Sequence, residues 1–350
     1  MSIDWLRNTQ PMRRLDSGQR TLQVAVENWP LRVPFRISGS TVLNLDVVVV
    51  TLAQHGHSGR GEAAGVDYRK DDDIPTMMHQ IEAIRTSIEA GSDRETLQRL
   101  LPPGGARNAL DCALWELEAK QSGSAAWQIA ELSEPQPLVT TYTLGANDSA
   151  AMAEGAREFA GAQAIKIKLT GESMDAERVR AVREARPDVW LGVDANQGFT
   201  RAHFSELLPI LADARVELIE QPFPVGHEPT LDEFKSPIPI AADESAQSLG
   251  DLSGLVGRFD VINIKLDKCG GLTEALLMAR EARRLGFRAM VGNMIGTSLA
   301  MAPAVLVGQL CSLVDLDGPL LLRTDRLPGA VYEHGRIWCD EKIWGGHARR

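Results

Sequence analysis

The run AIKIKLT, from Ala164 to Thr170, places two lysines two residues apart in an otherwise apolar strand candidate. Side chains alternate along a strand, so Lys166 and Lys168 share one face while Ile165, Ile167 and Leu169 share the other. Two ammonium groups on one face repel each other unless anions compensate. Such anions recur downstream, inside or at the ends of later apolar runs. Asp194 sits in VWLGVDA, Glu220 in ELIEQP and Asp243-Glu244 in PIAADES, while VINIKLD carries Lys265 and Asp267 and SLVDLDG carries Asp315 and Asp317. Taken singly, each acid reads as a surface carboxylate capping the next helix, and the lysine run as an edge strand guarded against aggregation. Taken together, Asp194, Glu220 and Asp243 would repel strongly at one rim unless a cation neutralised them. Oxygen ligands without Cys or His point to a hard ion, Mg²⁺ first and Mn²⁺ second.

The elements that must hold these residues follow a regular grammar. Eight apolar runs begin at Val139, Ala164, Val189, Glu217, Pro239, Val261, Arg288 and Ser312, with starts separated by 25, 25, 28, 22, 22, 27 and 24 residues. Helical candidates such as Asp175 to Ala185 and Leu272 to Leu285 lie between them. That spacing predicts a closed parallel α/β barrel, whose site lies at the C-terminal ends of its strands. No G-x-G-x-x-G fingerprint follows a strand, which argues against a dinucleotide domain. In an eight-strand barrel, Lys168 on the second strand and Lys265 on the sixth face each other across the mouth. Two bases on opposite sides of one substrate, beside a divalent cation, suit proton transfer at a carbon alpha to a carboxylate. One lysine removes the proton, the cation stabilises the enediolate, and the other lysine returns a proton to the opposite face. Lysine is ordinarily protonated at neutral pH, so Lys166 and the metal are expected to depress the pKa of Lys168.

Upstream of the barrel the pattern differs. Strands are predicted from Leu22 to Glu27 and from Leu43 to Leu52, with a loop from Pro34 to Thr41 as the hairpin turn and a short third strand before Gly61. Helices follow over Pro75 to Ala90 and Arg107 to Lys120. The expected organisation is an extension over residues 1–20, a small α+β domain over 21–132, the barrel over 133–320 and a returning segment over 321–350.

Composition narrows the function classes. The formal charge of -10 over 350 residues, without a long basic run, argues against a nucleic-acid partner. Cys112, Cys269, Cys311 and Cys339 form no close metal-ligand pair and read as reduced thiols of a cytoplasmic protein, although four could form two disulfides. The first twenty residues lack a long apolar core and read as neither signal peptide nor membrane span. A homo-oligomer is left open.

The pieces IKIKL, VDANQ, IEQP, ADES and INIKLDKCGG, in that order, resemble the enolase superfamily, specifically its muconate-lactonising subgroup. The resemblance runs from about Leu22 to Leu320. It implies a (β/α)7β modified TIM barrel beneath an N-terminal α+β capping domain. It also implies Asp194, Glu220 and Asp243 as Mg²⁺ ligands, Lys168 and Lys265 as the acid/base pair, and Lys166 as the aid to Lys168. Asp315-Leu316-Asp317 resembles the Asp-x-Asp of dipeptide epimerases, whose carboxylates hold the substrate's ammonium, and Ser38, Ser40 and Thr143 fall at further substrate positions. LPPGGARNALDCALWELEAK, from Leu101 to Lys120, is similar to the L-Ala-D/L-Glu type, which acts in murein peptide recycling. The resemblance thus implies a dipeptide epimerase inverting the C-terminal residue's α-carbon. One departure is visible: the stretch from Ser38 to Val42 lacks the arginine that meets glutamate in that type, with Arg36 just upstream. A non-glutamate dipeptide is therefore a rival substrate. N-acylamino-acid racemase and o-succinylbenzoate synthase are rival activities that need no clamp for an ammonium. A sugar-acid dehydratase is disfavoured because RAMVGNM lacks a histidine, and a catalytically silent scaffold because every expected position is filled.

Overall fold

The computed structural model describes residues 18–37, 40–66, 68, 69 and 71–347. Three antiparallel strands open the chain: β1 (Thr21–Ile37), β2 (Ser40–Gln54) and β3 (His57–Ala63), in the order β1-β2-β3. The hairpin is longer than its sequence predicts. Of the stretch from Pro34 to Thr41 expected as a loop, the described residues are strand, with Phe35 opposite Val42 and Arg36 opposite Thr41. A register shift between Pro30 and Phe35 absorbs the prolines and lets pairing resume beyond them. The predicted helix from Pro75 to Ala90 is two helices, Ile74–Ala83 and Arg85–Glu89, and a further helix over Arg94–Leu100 lay unseen in the sequence.

The valine run of β2 is apolar on both faces because both are covered. Val48 and Val50 pack against the capping-domain helices, while Val47 and Val49 join the large cluster around the barrel. Between the two lies the helix Gly105–Ser122, buried along nearly its whole length. It approaches β3 so closely that a Cβ at Gly61 would collide with the backbone carbonyl of Ala109, which explains the glycine there.

The second layer is an eight-stranded parallel sheet curled into a nearly closed barrel. After the short β4 (Leu138–Val139) come β5 (Thr141–Leu144), β6 (Ala164–Lys168), β7 (Trp190–Asp194), β8 (Leu218–Glu220), β9 (Ile240–Ala242), β10 (Val261–Ile264), β11 (Arg288–Val291) and β12 (Leu313–Val314), paired in sequence order. Ile165 and Ile167 of β6 join the core outside the sheet, whereas Leu218, Ala241, Val261 and Met290 fill the interior with Trp190 and Leu313. The floor is thus closed and the mouth is left to polar residues.

The chain then returns. A hairpin of β13 (Val331–Glu333) and β14 (Arg336–Trp338) pairs with β4, while Trp344 donates its indole N–H to the Arg60 carbonyl at 2.9 Å. Both layers are therefore tied by the last segment. No helix among the described residues is long and apolar enough to cross a membrane, and the four cysteines are free thiols.

Candidate active site

Strand register places the chemistry. Lys168, Asp194 and Glu220 pair across β6, β7 and β8 at one level, and Asp243 and Lys265 come directly after β9 and β10. One carboxylate oxygen from each of Asp194, Glu220 and Asp243 lies within 4.8 Å of the others, and all three side chains are buried. The lysines are paired to this triad from either side. Lys168 Nζ donates to Asp194 Oδ2 at 2.5 Å, and Lys265 Nζ to Asp243 Oδ2 at 2.7 Å. Both line a cavity of about 580 Å³ that opens between the barrel mouth and the β1–β2 hairpin, within the roughly 300–1,000 Å³ typical of small-molecule sites.

Lys166 sits deeper, buried in a cage of carboxylates. It pairs with Asp315, with Glu220 at 3.1 Å and with Asp194 at 3.8 Å. Burial alone would lower its pKa, but Asp315 and then Glu220 and Asp194 hold it well above the ordinary value. Lys265 is raised likewise, against the effect of burial, by Asp243 and Glu220. Asp315 is held low in spite of burial because Lys166 lies against it.

The two aspartates of SLVDLDG follow β12 rather than lie within it, and they stitch the seam where the barrel closes on β5. Asp315 Oδ1 accepts from the Thr141 and Thr143 hydroxyls, Asp317 Oδ2 accepts the Thr143 N–H at 2.6 Å, and the Leu316 N–H donates to Thr140 Oγ1 at 2.9 Å. Thr143, expected to touch substrate, braces this pair and also lines the cavity. Ser38 lies outside the described residues, and Ser40 begins β2.

Asp267 stands apart from the mouth. It lies on a short helical turn, Leu266–Cys269, and accepts the backbone N–H groups of Ala64 at 2.9 Å and Gly65 at 3.3 Å, so it anchors the capping domain. On the same turn Lys268 reaches inward, donating to Asp243 Oδ1 at 2.6 Å and to the Asp243 and Asn263 carbonyls. Asn263 donates to Glu220 Oε1 at 2.6 Å. Neither Lys268 nor Asn263 was picked out in the sequence. Asn263 was legible, two residues before Lys265 and hence on its face; Lys268 was masked by the helical turn that carries it.

Six buried carboxylates (Asp194, Glu220, Asp243, Glu244, Asp315, Asp317) meet four buried ammoniums (Lys166, Lys168, Lys265, Lys268), an excess of two negative charges. The crowding is visible in Glu220, pushed up to about 7 by burial and by the neighbouring Asp194, and in Glu244, pushed up to about 8 by burial and then by Asp243. Glu244 Oε2 and Asn196 Oδ1 are buried without a hydrogen-bond partner among the described residues. An oxygen-only triad, set in a cluster with a formal excess of two negative charges, fits one hard divalent cation such as Mg²⁺.

Residues 19–130 match the family described as mandelate racemase / muconate lactonizing enzyme, N-terminal domain, and residues 148–341 match enolase C-terminal domain-like. The chain belongs to this enolase-superfamily group. Among its enolase-superfamily relatives is an L-Ala-D/L-Glu epimerase of Escherichia coli (strain K12), 39% identical over 91% of this chain and 99% of that protein. An N-acetyl-D-glutamate racemase of Pseudoalteromonas sp is 39% identical over 86% of this chain and 95% of that protein. A solved enolase-family structure from Agrobacterium tumefaciens, described as having homology to dipeptide epimerases and bound to sodium and L-Ala-L-Glu, superposes with a TM-score of 0.90. It is 46% identical and covers 93% of this chain and 100% of that one. The chain is an enzyme of the enolase superfamily, homologous to characterised dipeptide epimerases.

Proposed function

We propose that this enzyme epimerises dipeptides at the α-carbon of the C-terminal residue by proton transfer between Lys168 and Lys265. The observation that carries the reading is the placement of these two lysines on opposite flanks of one buried carboxylate triad, in one cavity. Asp194, Glu220 and Asp243 would hold a divalent cation. Bound there, it would supply positive charge to a substrate carboxylate and so acidify the neighbouring α-carbon.

The chain's own residues do the rest. The α-carbon lies between Lys168 and Lys265, so whichever lysine is neutral takes its proton and the other delivers one to the opposite face. Lys166, locked among Asp315, Glu220 and Asp194, is a fixed positive charge beside the site and not a mobile proton carrier. Of the two aspartates after β12, Asp315 has both oxygens engaged by Lys166, Thr141 and Thr143. Among the described residues, the Asp317 carboxylate is engaged through Oδ2 alone, which leaves Oδ1 for a substrate ammonium.

Deuterium uptake at Cα across a set of free-amine dipeptides and N-acyl amino acids, read by mass spectrometry, tests the reading. Exchange in the C-terminal residue of the dipeptides is expected. Exchange with N-acyl amino acids alone would overturn it in favour of an N-acylamino-acid racemase.

A further inference from the structure

We infer that the side chain this enzyme prefers on the epimerised residue is apolar, and that glutamate is a poor substrate there. The inference rests on the dipeptide reading above. Proton transfer between Lys168 and Lys265 leaves the α-carbon's other three substituents in a plane between them. The carboxylate takes the direction of the triad and the amide nitrogen leads toward Asp317. The floor of the barrel is filled by Leu218, Ala241, Val261 and Met290, so the side chain points outward, to the capping hairpin.

What it meets there is an apolar cluster, with Asn44, Asp46 and Tyr68 elsewhere on the capping side of the lining. Phe35 and Ile37 of β1 and Val42 and Leu45 of β2 line the cavity together with Ile295 and Leu321 from beyond β11 and β12, and the same six residues pack as one apolar cluster. Strand alternation explains the selection: Phe35 and Ile37 face the cavity, so Arg36 between them faces away. Arg36 is held there by Glu172 at 2.9 Å, and its carbonyl accepts the Ala146 N–H at 2.8 Å. Glu172 is shared with Arg178, also at 2.9 Å. Among the described residues, the cations lining the cavity are Lys166, Lys168 and Lys265, each already paired with a carboxylate. A glutamate side chain would lose its water against Phe35, Ile37 and Val42 and gain no unpaired cation among the described residues, and it would add charge to a cavity also lined by Asp46. Burying an unpaired carboxylate costs far more than burying a leucine gains.

The test compares kcat/KM, by Cα deuterium exchange in the Mg²⁺-loaded enzyme, for L-Ala-L-Leu, L-Ala-L-Phe, L-Ala-L-Glu and L-Ala-L-Lys. An apolar dipeptide is expected to exceed both charged ones by about tenfold or more. Val42→Arg, which carries a cation on the cavity face of β2, is expected to bring L-Ala-L-Glu up by at least about tenfold relative to L-Ala-L-Leu, with Val42→Lys as a second variant giving the same direction. Equal or higher kcat/KM for L-Ala-L-Glu or L-Ala-L-Lys in the unmodified enzyme overturns the inference and leaves the dipeptide reading standing. Exchange confined to N-acyl amino acids overturns both.

Discussion

On the function proposed above, Lys168 and Lys265 approach the substrate from different strands, so each would have access to one face of a planar enediolate. Lys168→Ala and Lys265→Ala should each lose epimerisation by at least about 10³-fold. Each should still exchange the Cα proton of one epimer only, and of opposite epimers, which proton NMR in deuterium oxide reads directly. Full turnover in either variant would exclude a two-base scheme. Asp317 makes a separate prediction. Burial, and then the adjacent Asp315, push its carboxyl up to about 6. A neutral Asp317 cannot pair with an ammonium, so KM for a free-amine dipeptide should rise as pH falls through about 6. Asp317→Asn should raise that KM about tenfold or more and flatten its rise below pH 6, since a charge-assisted hydrogen bond is lost. A pH profile of KM indistinguishable from that of the unmodified enzyme would remove Asp317 from the ammonium site.

Among the elements, the short helical turn Leu266–Cys269 does two jobs from adjacent residues. Asp267 faces the capping domain and Lys268 faces the triad, because successive positions on a helix lie about 100° apart. Lys268 touches neither the cavity nor, on the reading above, the substrate; it is a positioning residue for Asp243. Lys268→Met should weaken Mg²⁺ binding by about 10- to 100-fold, as loss of a partner behind a metal ligand typically does. Isothermal titration with Mg²⁺ measures this without turnover, and an unchanged affinity would reduce Lys268 to packing. The β5–β12 seam is a second such element. Its closure by threonine and aspartate side chains couples the shape of the barrel to the two aspartates beside the cavity.

Across the whole molecule, the capping domain and the barrel are joined by buried charge as well as by apolar packing. Glu62 of β3 accepts the Thr297 N–H at 2.7 Å and two hydrogen bonds from Arg326, which also reaches Glu27 of β1 at 2.7 Å. Burial raises the pKa of Glu62, offset in part by Arg326. Thr297 caps the helix Ser298–Gly308 and ends the loop that carries Ile295 into the cavity. Arg326→Met would leave Glu62 buried without its cation, a loss of about 3–5 kcal/mol. A urea unfolding midpoint unchanged from that of the unmodified protein would show that the weld contributes little. This weld joins residues 27, 62, 297 and 326, so cap, barrel and returning segment share one junction.

Much of the candidate site was legible in the chain. Strand alternation put Lys166 and Lys168 on one face, and regular spacing carried Asp194, Glu220, Asp243 and Lys265 to the ends of successive strands, because a parallel barrel converts position along a strand into height at the mouth. The three-dimensional arrangement decided what depends on contacts between distant segments. It made Lys166 the centre of a carboxylate cage, assigned Asp267 to the capping domain and brought Lys268 to Asp243. The hairpin shows the division most plainly. Its sequence lacks a glutamate-facing arginine and offers Arg36 nearby, but the direction of Arg36 depends on where strand pairing resumes after Pro34 and on Glu172, 136 residues away. Local alternation specifies a strand's two faces, and only packing against the barrel decides which face looks into the cavity.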